Sequence, residues 1–331
     1  MKKSVLIFVP VFVLSFEASA GCDSSGRCEW DCTPANSTGS CTAVYENNVL
    51  TISGDGEMDN YDWSTAPWKS TIAGKVSSII VEDGITKIGD TAFYKLGSQQ
   101  IDVALPSSLD TIGTWAFRES YNVQMTLPKG LKSIGSGAFA GVTPRQLEIP
   151  STVTSIYEFN FAEEGWDLVL NANSNLVLNS QVARDVGGRY HDISITCKGD
   201  IDVCATMSAN VKNALINKGK TFNLKDADGN MVNSCDGSGC VKYIYDDSGN
   251  LLRQNKYDTQ GLFVKSFGQN ADGSYFYYDE DGQMIYNTDG SYNLYDKDGN
   301  IIGYKGKRIY TVQEANKVSK PTGNRVSIRY K

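Results

Sequence analysis

The sequence predicts a β-rich repeat protein: a solenoid of about six rungs with an amino-terminal cap and a helical carboxy-terminal cap, followed by an antiparallel β meander. Three observations carry that prediction. A phrase recurs at Ile88-Gly89-Asp90-Thr91-Ala92-Phe93, Ile112-Gly113-Thr114-Trp115-Ala116-Phe117 and Ile134-Gly135-Ser136-Gly137-Ala138-Phe139, at intervals of 24 and 22 residues, and a fixed period of this order marks stacked structural units. Apolar residues alternate with polar ones ahead of each phrase, as in a half-buried strand. After residue 240 the repeat stops and a tyrosine-, aspartate- and glycine-rich language replaces it.

In chain order, residues 1–20 read as a secretory signal: Lys2-Lys3, an apolar run from Val5 to Phe16, then Ala18-Ser19-Ala20. Cleavage after Ala20 starts the mature chain at Gly21. The alternative is a lipid anchor on Cys22, since Ala20-Gly21-Cys22 matches the end of a lipobox, but Ser19 and Glu17 stand where that motif is apolar. No later stretch approaches the roughly 18 apolar residues of a membrane span. The expected location is secreted or cell surface, with no membrane span. The whole sequence has 31 basic and 38 acidic residues, net −7; losing Lys2, Lys3 and Glu17 with the signal makes it −8. That balance, without any basic run, argues against a nucleic-acid partner.

All eight cysteines lie beyond the signal, an even count in an exported chain, which predicts disulfides. Cys22, Cys28, Cys32 and Cys41 fall in a cap assigned to residues 21–75, where three pairings are open. Cys197 and Cys204 flank a strand-to-helix joint. Cys235 and Cys240 close a loop reading Asp-Gly-Ser-Gly.

Residues 76–198 form the expected solenoid. Six residues before each phrase stand Glu82, Pro106, Pro128 and, in a fourth copy, Pro150. Before those come Val81, Leu105, Leu127 and Ile149, and two earlier Ile79, Val103, Met125 and Leu147, the period-two pattern of a strand. The fourth copy is degenerate, with Tyr157 for Gly and Asn160-Phe161 for Ala-Phe, but the strand pattern continues at Leu168, Leu170, Ile193 and Ile195. Phe93, Phe117 and Phe139 are expected to form a buried ladder.

The Ile-Gly-x-x-Ala-Phe phrase and the apolar-Pro-Ser-x-apolar segment after it resemble the BspA-like class of leucine-rich repeats. The run Leu50-Thr51-Ile52-Ser53-Gly54-Asp55-Gly56-Glu57-Met58 with Ala66-Pro67-Trp68 resembles the amino-terminal cap of such repeats, so the resemblance covers residues 41 to 165. It implies a secreted or surface-exposed bacterial protein, often associated with adhesion to host or matrix proteins, with no catalytic residues. Its motif assigns no binding residues.

Residues 199–240 read as a helical cap and linker: Asp200 caps a segment in which Val203, Cys204, Met207, Val211, Ala214 and Leu215 share a face, and Gly219 ends it. In residues 241–305 a Tyr-Asp-x-x-Gly phrase starts at Tyr245, Tyr257, Tyr278 and Tyr295, and 11 of 18 tyrosines fall between Tyr243 and Tyr310. Asp-Gly pairs at Asp272 and Asp289 add hairpin turns. This region resembles the Tyr-Asp repeats of secreted bacterial shell and wall proteins. A tail, 306–331, has a polar helical stretch around Glu314 and an alternating end at Val326–Tyr330.

Little in the chain points to catalysis, and an enzyme is not expected. His191 is the sole histidine, too few for a multi-histidine metal site, and no nucleophile-elbow or zinc-protease motif accompanies it. Neighbouring carboxylates such as Glu163-Glu164 are ordinary in so acidic a chain. Asp279 with Asp281 and Asp296 with Asp298, like Asp226 with Asp228, look like fragments of calcium loops but lack a glutamate at the twelfth position; hairpin turns account for them, leaving weak calcium binding as the disfavoured reading and no cofactor as the expectation. Of Trp63, Trp68 and Trp115, the last two are assigned to core packing. The candidate binding residues are outward strand positions that stacking lines into columns, Asp102, Gln124 and Gln146 in one and Ala104, Thr126 and Glu148 in the other. The predicted function is adhesion, with an extracellular protein or glycan as partner. A structural role in the envelope or matrix is the alternative, and a wall hydrolase is disfavoured by the missing motifs.

Overall fold

The computed structural model describes residues 21–305 except 98–99, 144, 162–164, 174, 247 and 280–281. The signal segment, the carboxy-terminal tail, Glu163-Glu164 and Asp281 lie outside the described residues.

Alternating apolar residues make one face of a short strand adhesive, and stacking parallel copies is how this chain buries it. The chain enters through four antiparallel strands, β1 (Gly21–Cys22), β2 (Cys28–Asp31), β3 (Ser40–Glu46) and β4 (Val49–Glu57), and a short helix α1 (Lys69–Ile72). Each coil then contributes two strands: β5 (Ser78–Val81) and β6 (Ile85–Ile88), β7 (Ile101–Ala104) and β8 (Thr111–Ile112), β9 (Val123–Met125) and β10 (Ser133–Ile134), β11 (Gln146–Ile149) and β12 (Ser155–Ile156). These form two parallel rows. One runs β4-β5-β7-β9 and the other β4-β6-β8-β10-β12, so β4 serves both.

Phe93, Phe117 and Phe139 stack inside the coils, with ring centroids 5.2 and 6.0 Å apart, and all three are inaccessible. Trp68 starts the same ladder, 6.3 Å from Phe93, and its indole Nε1 donates to Ala92 O at 2.9 Å. The degenerate fourth copy keeps the arrangement by another means. Fully buried Asn160 donates from Nδ2 to the Gly135 and Tyr157 carbonyls, and its Oδ1 accepts from Phe139 N. An amide replaces alanine there because all its polar atoms meet backbone partners.

The strand row does not end at Cys197. After β13 (Trp166–Asn171) and β14 (Ile193–Lys198) comes helix α2 (Ile201–Ile216), then β15 (Phe222–Lys225), which pairs in parallel with β14. Asp200 accepts from the Asp202 and Val203 amides, and Cys204, Met207, Val211 and Leu215 are buried. The helix thus lies within the coil as a strand-helix-strand crossover, rather than after its last rung. Residues 222–240 are not linker either. The chain continues antiparallel through β16 (Met231–Asp236), β17 (Gly239–Tyr245), β18 (Leu251–Tyr257), β19 (Phe263–Gln269), β20 (Tyr275–Tyr278), β21 (Tyr292–Tyr295) and β22 (Ile301–Lys305), and β11 together with β13 to β22 forms one sheet of eleven strands. The cause is the edge of β15: its free amides and carbonyls accept the next strand without a break.

All eight cysteines are paired, as Cys22–Cys28, Cys32–Cys41, Cys197–Cys204 and Cys235–Cys240. Cys22 and Cys28 face each other across β1 and β2, as Cys235 and Cys240 do across β16 and β17. The first of these bonds takes the thiol that a lipid anchor on Cys22 requires.

Candidate binding surface

Outward positions of the first strand row form a column in strict register. Ser78 pairs with Asp102 and Asp102 with Gln124, and both Asp102 and Gln124 are exposed. The ladder then stops, because β9 does not pair with β11. A crevice of about 50 Å³ lies there, lined by Gln124, Met125, Gln146 and Leu147 among others. A new column starts beyond it, Gln146, Asp167, Ser194 and Asn223, also in register. The expected single column is therefore two. The second column reads Ile80 beside Ala104 before the break and Glu148, Val169, Thr196 and Lys225 after it. Thr126 is exposed but lies one residue past the end of β9.

Beyond the break the face is an ionic lattice. Glu148 accepts from Lys198 at 2.7 Å and from Asn171 Nδ2 at 3.0 Å, and these bonds, Lys198 first, hold its carboxyl below the usual range. Asp167 accepts from Lys225 at 2.8 Å and Thr196 Oγ1 at 3.1 Å. Sequence reasoning named Glu148 but missed Asp167, Lys198 and Lys225. They sit on strands whose spacing departs from the repeat, so no offset from the phrase reaches them.

Trp68 is core, but Trp115 is not. Trp115 is half-buried, and its indole lies 4.0 Å from that of Trp63, which is 40% exposed. The Arg118 guanidinium is 5.1 and 5.3 Å from those two rings. The signal was in the phrase: the position of Trp115 is Thr91 one coil earlier and Gly137 one coil later. A position that takes threonine, tryptophan and glycine in successive coils makes no fixed apolar demand, so its place in the phrase does not assign the Trp115 indole to the core.

The leading aspartates of the calcium-like fragments, Asp226, Asp279 and Asp296, accept hydrogen bonds within their own turns. Asp296 Oδ1 accepts from the Asp298 and Asn300 amides at 2.9 and 2.8 Å, and its Oδ2 from Asn300 Nδ2 at 2.9 Å. Asp226 repeats the pattern, and Asp279 accepts from Gln283 N at 2.7 Å. His191 Nε2 lies 3.4 Å from Asp185 Oδ2. Burial pushes the Asp185 carboxyl up, but hydrogen bonds from the Arg189 backbone and guanidinium and from His191 outweigh it and bring it to about 2.

Residues 73–167 match the family model of the BspA type leucine rich repeat region, in six copies. This stretch carries BspA-type leucine-rich repeats. Repeat regions of this type are binding scaffolds rather than catalytic domains. The chain is also similar to a leucine-rich repeat protein of known structure from Eubacterium ventriosum, at 17% identity and a TM-score of 0.35; the similarity covers 55% of this chain and 58% of that one. No curated protein matches the chain. Among the described residues no helix is long and apolar enough to cross a membrane.

Proposed function

We propose that this is an exported or surface-exposed adhesion protein that recognises an extracellular protein or glycan through the strand-row face of its BspA-type repeats. The observation that supports this reading is the register of outward polar side chains, Ser78, Asp102 and Gln124 in one row and Gln146, Asp167, Ser194 and Asn223 in the next. Parallel strands hold such groups roughly 4.8 Å apart. A face already rigid loses little conformational freedom when a partner docks.

The test is a pull-down of the full-length protein against extracellular matrix proteins, mucin and a glycan array, beside a Gln124→Ala/Glu148→Ala variant. Saturable binding that the variant loses, with its circular dichroism unchanged, supports the reading; equal binding by both proteins sinks it. A structural role in the envelope is the second reading. It is favoured by the outer edge of β22, where Ile301 and Ile302 are 42% and 59% exposed and only β21 pairs with it among the described residues. It predicts concentration-dependent oligomers in sedimentation.

A further inference from the structure

The turns after the second strand row hold left-handed backbone at the same two places in successive coils. The first place is Thr91, Trp115, Gly137 and Phe159, with φ of 52, 53, 61 and 62°. The second is Lys95, Glu119 and Gly141, with φ of 53, 54 and 77°. Glycine adopts this backbone freely, whereas a bulky side chain is strained by it. The third coil relaxes the strain with glycine at both places. Its neighbours keep Trp115 and Phe159 instead.

Alternation of large and small residues opens a pocket of about 300 Å³. Ala140 and Gly141 lie in the third coil, Trp115, Arg118 and Glu119 in the coil before it, and Phe159, Asp185 and Val186 follow. The two glycines are needed for it. A Cβ on Gly137 would collide with Trp115 Cδ1 and Nε1, and one on Gly141 would press on Glu119 Cγ at 3.2 Å.

Charged side chains ring the pocket. Glu119 is shared by Lys95 at 2.8 Å and Arg118 at 3.3 Å, while Asp185 accepts from Arg189 at 2.8 Å. Arg145 also lines the pocket, so the described charges here are Lys95, Arg118, Arg145 and Arg189 with Glu119 and Asp185, in a chain whose net charge is −7. Tryptophan beside an arginine and carboxylates offers an apolar platform with a polar rim. A pyranose matches it, with a C–H face for the ring and hydroxyls for the rim. The volume is at the lower end of the roughly 300–1,000 Å³ of small-molecule sites, room for one sugar ring. The amides of Trp115, Glu119 and Phe159 already donate to Ser136, Ala140 and Gln181 carbonyls, so they are not open to an added peptide strand.

We propose that this pocket binds a single acidic sugar residue, a pyranose bearing a carboxylate, with its apolar face on Trp115 and its carboxylate on Arg118. The inference rests on the binding-protein reading but uses none of the strand-row residues.

The test titrates the full-length protein with glucuronic acid, N-acetylneuraminic acid, glucose and a hexaglutamate peptide, read by saturation-transfer NMR and tryptophan fluorescence. At least one acidic sugar binds saturably, about tenfold or more tighter than glucose. Trp115→Gly keeps the left-handed backbone but removes the indole, Arg118→Gln removes the charge, and Ala140→Leu fills the pocket; each weakens that sugar about tenfold or more. The Gln124→Ala/Glu148→Ala variant binds it as the parent does. The proposal is overturned by absence of saturable binding, by glucose binding as tightly, or by hexaglutamate competing as well as the sugars. It is overturned too if the three pocket variants retain binding or if only the strand-row variant loses it, and that last result leaves the strand-row reading standing.

Discussion

Leu168, Ile195 and Leu224 share one continuous hydrogen-bonded sheet with Tyr243, Phe267, Tyr277 and Tyr295, yet the first three are inaccessible or nearly so and the last four are half-exposed. From β2 to β15 the strands lay apolar side chains on the core, which runs from Cys28 in the first hairpins to Phe222 and Leu224. Beyond Cys235 no hydrophobic side chain is buried among the described residues. The later strands rely on the backbone ladder, on aromatic pairs such as Tyr277 with Tyr295 at 4.4 Å, and on aspartates that tie the turns. The difference teaches that hydrogen bonding fixes the shape of a sheet, while burial of apolar area supplies most of its stability.

Four substitutions, one titration and one double-mutant cycle press on that contrast. Phe117→Ala removes the middle of the buried ladder and should cost about 3 to 5 kcal/mol in denaturant unfolding. Tyr277→Ala, in a stretch with no buried hydrophobic side chain among the described residues, should cost about 1 kcal/mol, and equal losses would break the comparison. Replacing Cys197 and Cys204 together by serine releases a short loop and should lower stability by about 2.5 kcal/mol in the same measurement. Asp258→Ala deletes two turn bonds, to the Gln260 and Leu262 amides at 2.9 Å each. A loss of about 1 kcal/mol, seen as faster amide exchange in β18 and β19 with the solenoid amides unchanged, is the expected result.

Acid should separate the two stretches. Asp246 is held below its ordinary value chiefly by the Asn250 amide, Asp272 by the Ser274 hydroxyl and Asp296 by the Asn300 side chain. A lowered native value means stabilisation that is complete above the unfolded carboxylate range and fades as pH falls through the native one. The tyrosine near-ultraviolet signal should therefore weaken as pH falls below the ordinary carboxylate range while the tryptophan signal of the solenoid persists. Simultaneous loss of both would show one cooperative unit. Smallest of all, a double-mutant cycle on the partly exposed Asp167–Lys225 pair should return about 0.5 kcal/mol, decreasing with salt.

Where the repeat is regular, the fold was legible from residue types alone. The offset from each Ile-Gly phrase located the strand row, the buried phenylalanines and the outward positions Asp102 and Gln124, because each coil repeats one local geometry. Legibility failed where the geometry departs from that rule. The break between β9 and β11 leaves no mark in the alternation of Met125 and Leu147. The Trp115 indole was assigned to the core from its place in an apolar phrase, although the left-handed turn turns it outward onto Trp63. Asp167, Lys198 and Lys225 meet their partners over long separations in the chain, so their pairing depended on a register that spacing does not reveal.

The change of composition at residue 240 coincides with a change in burial, from buried aliphatics before it to half-exposed tyrosines after it, within one continuous sheet. Local pattern by itself determined the repeat period, the inward residues of each rung and the helix that starts after Asp200, since alternation, turns and caps act over a few residues. Only the tertiary structure decided that this helix is a crossover inside the coil and that β15 hands its open edge to β16, and it alone set Trp115 and Phe159 around Ala140 and Gly141. Those outcomes depend on which strand edges and coil faces come together, and no short-range preference encodes that meeting.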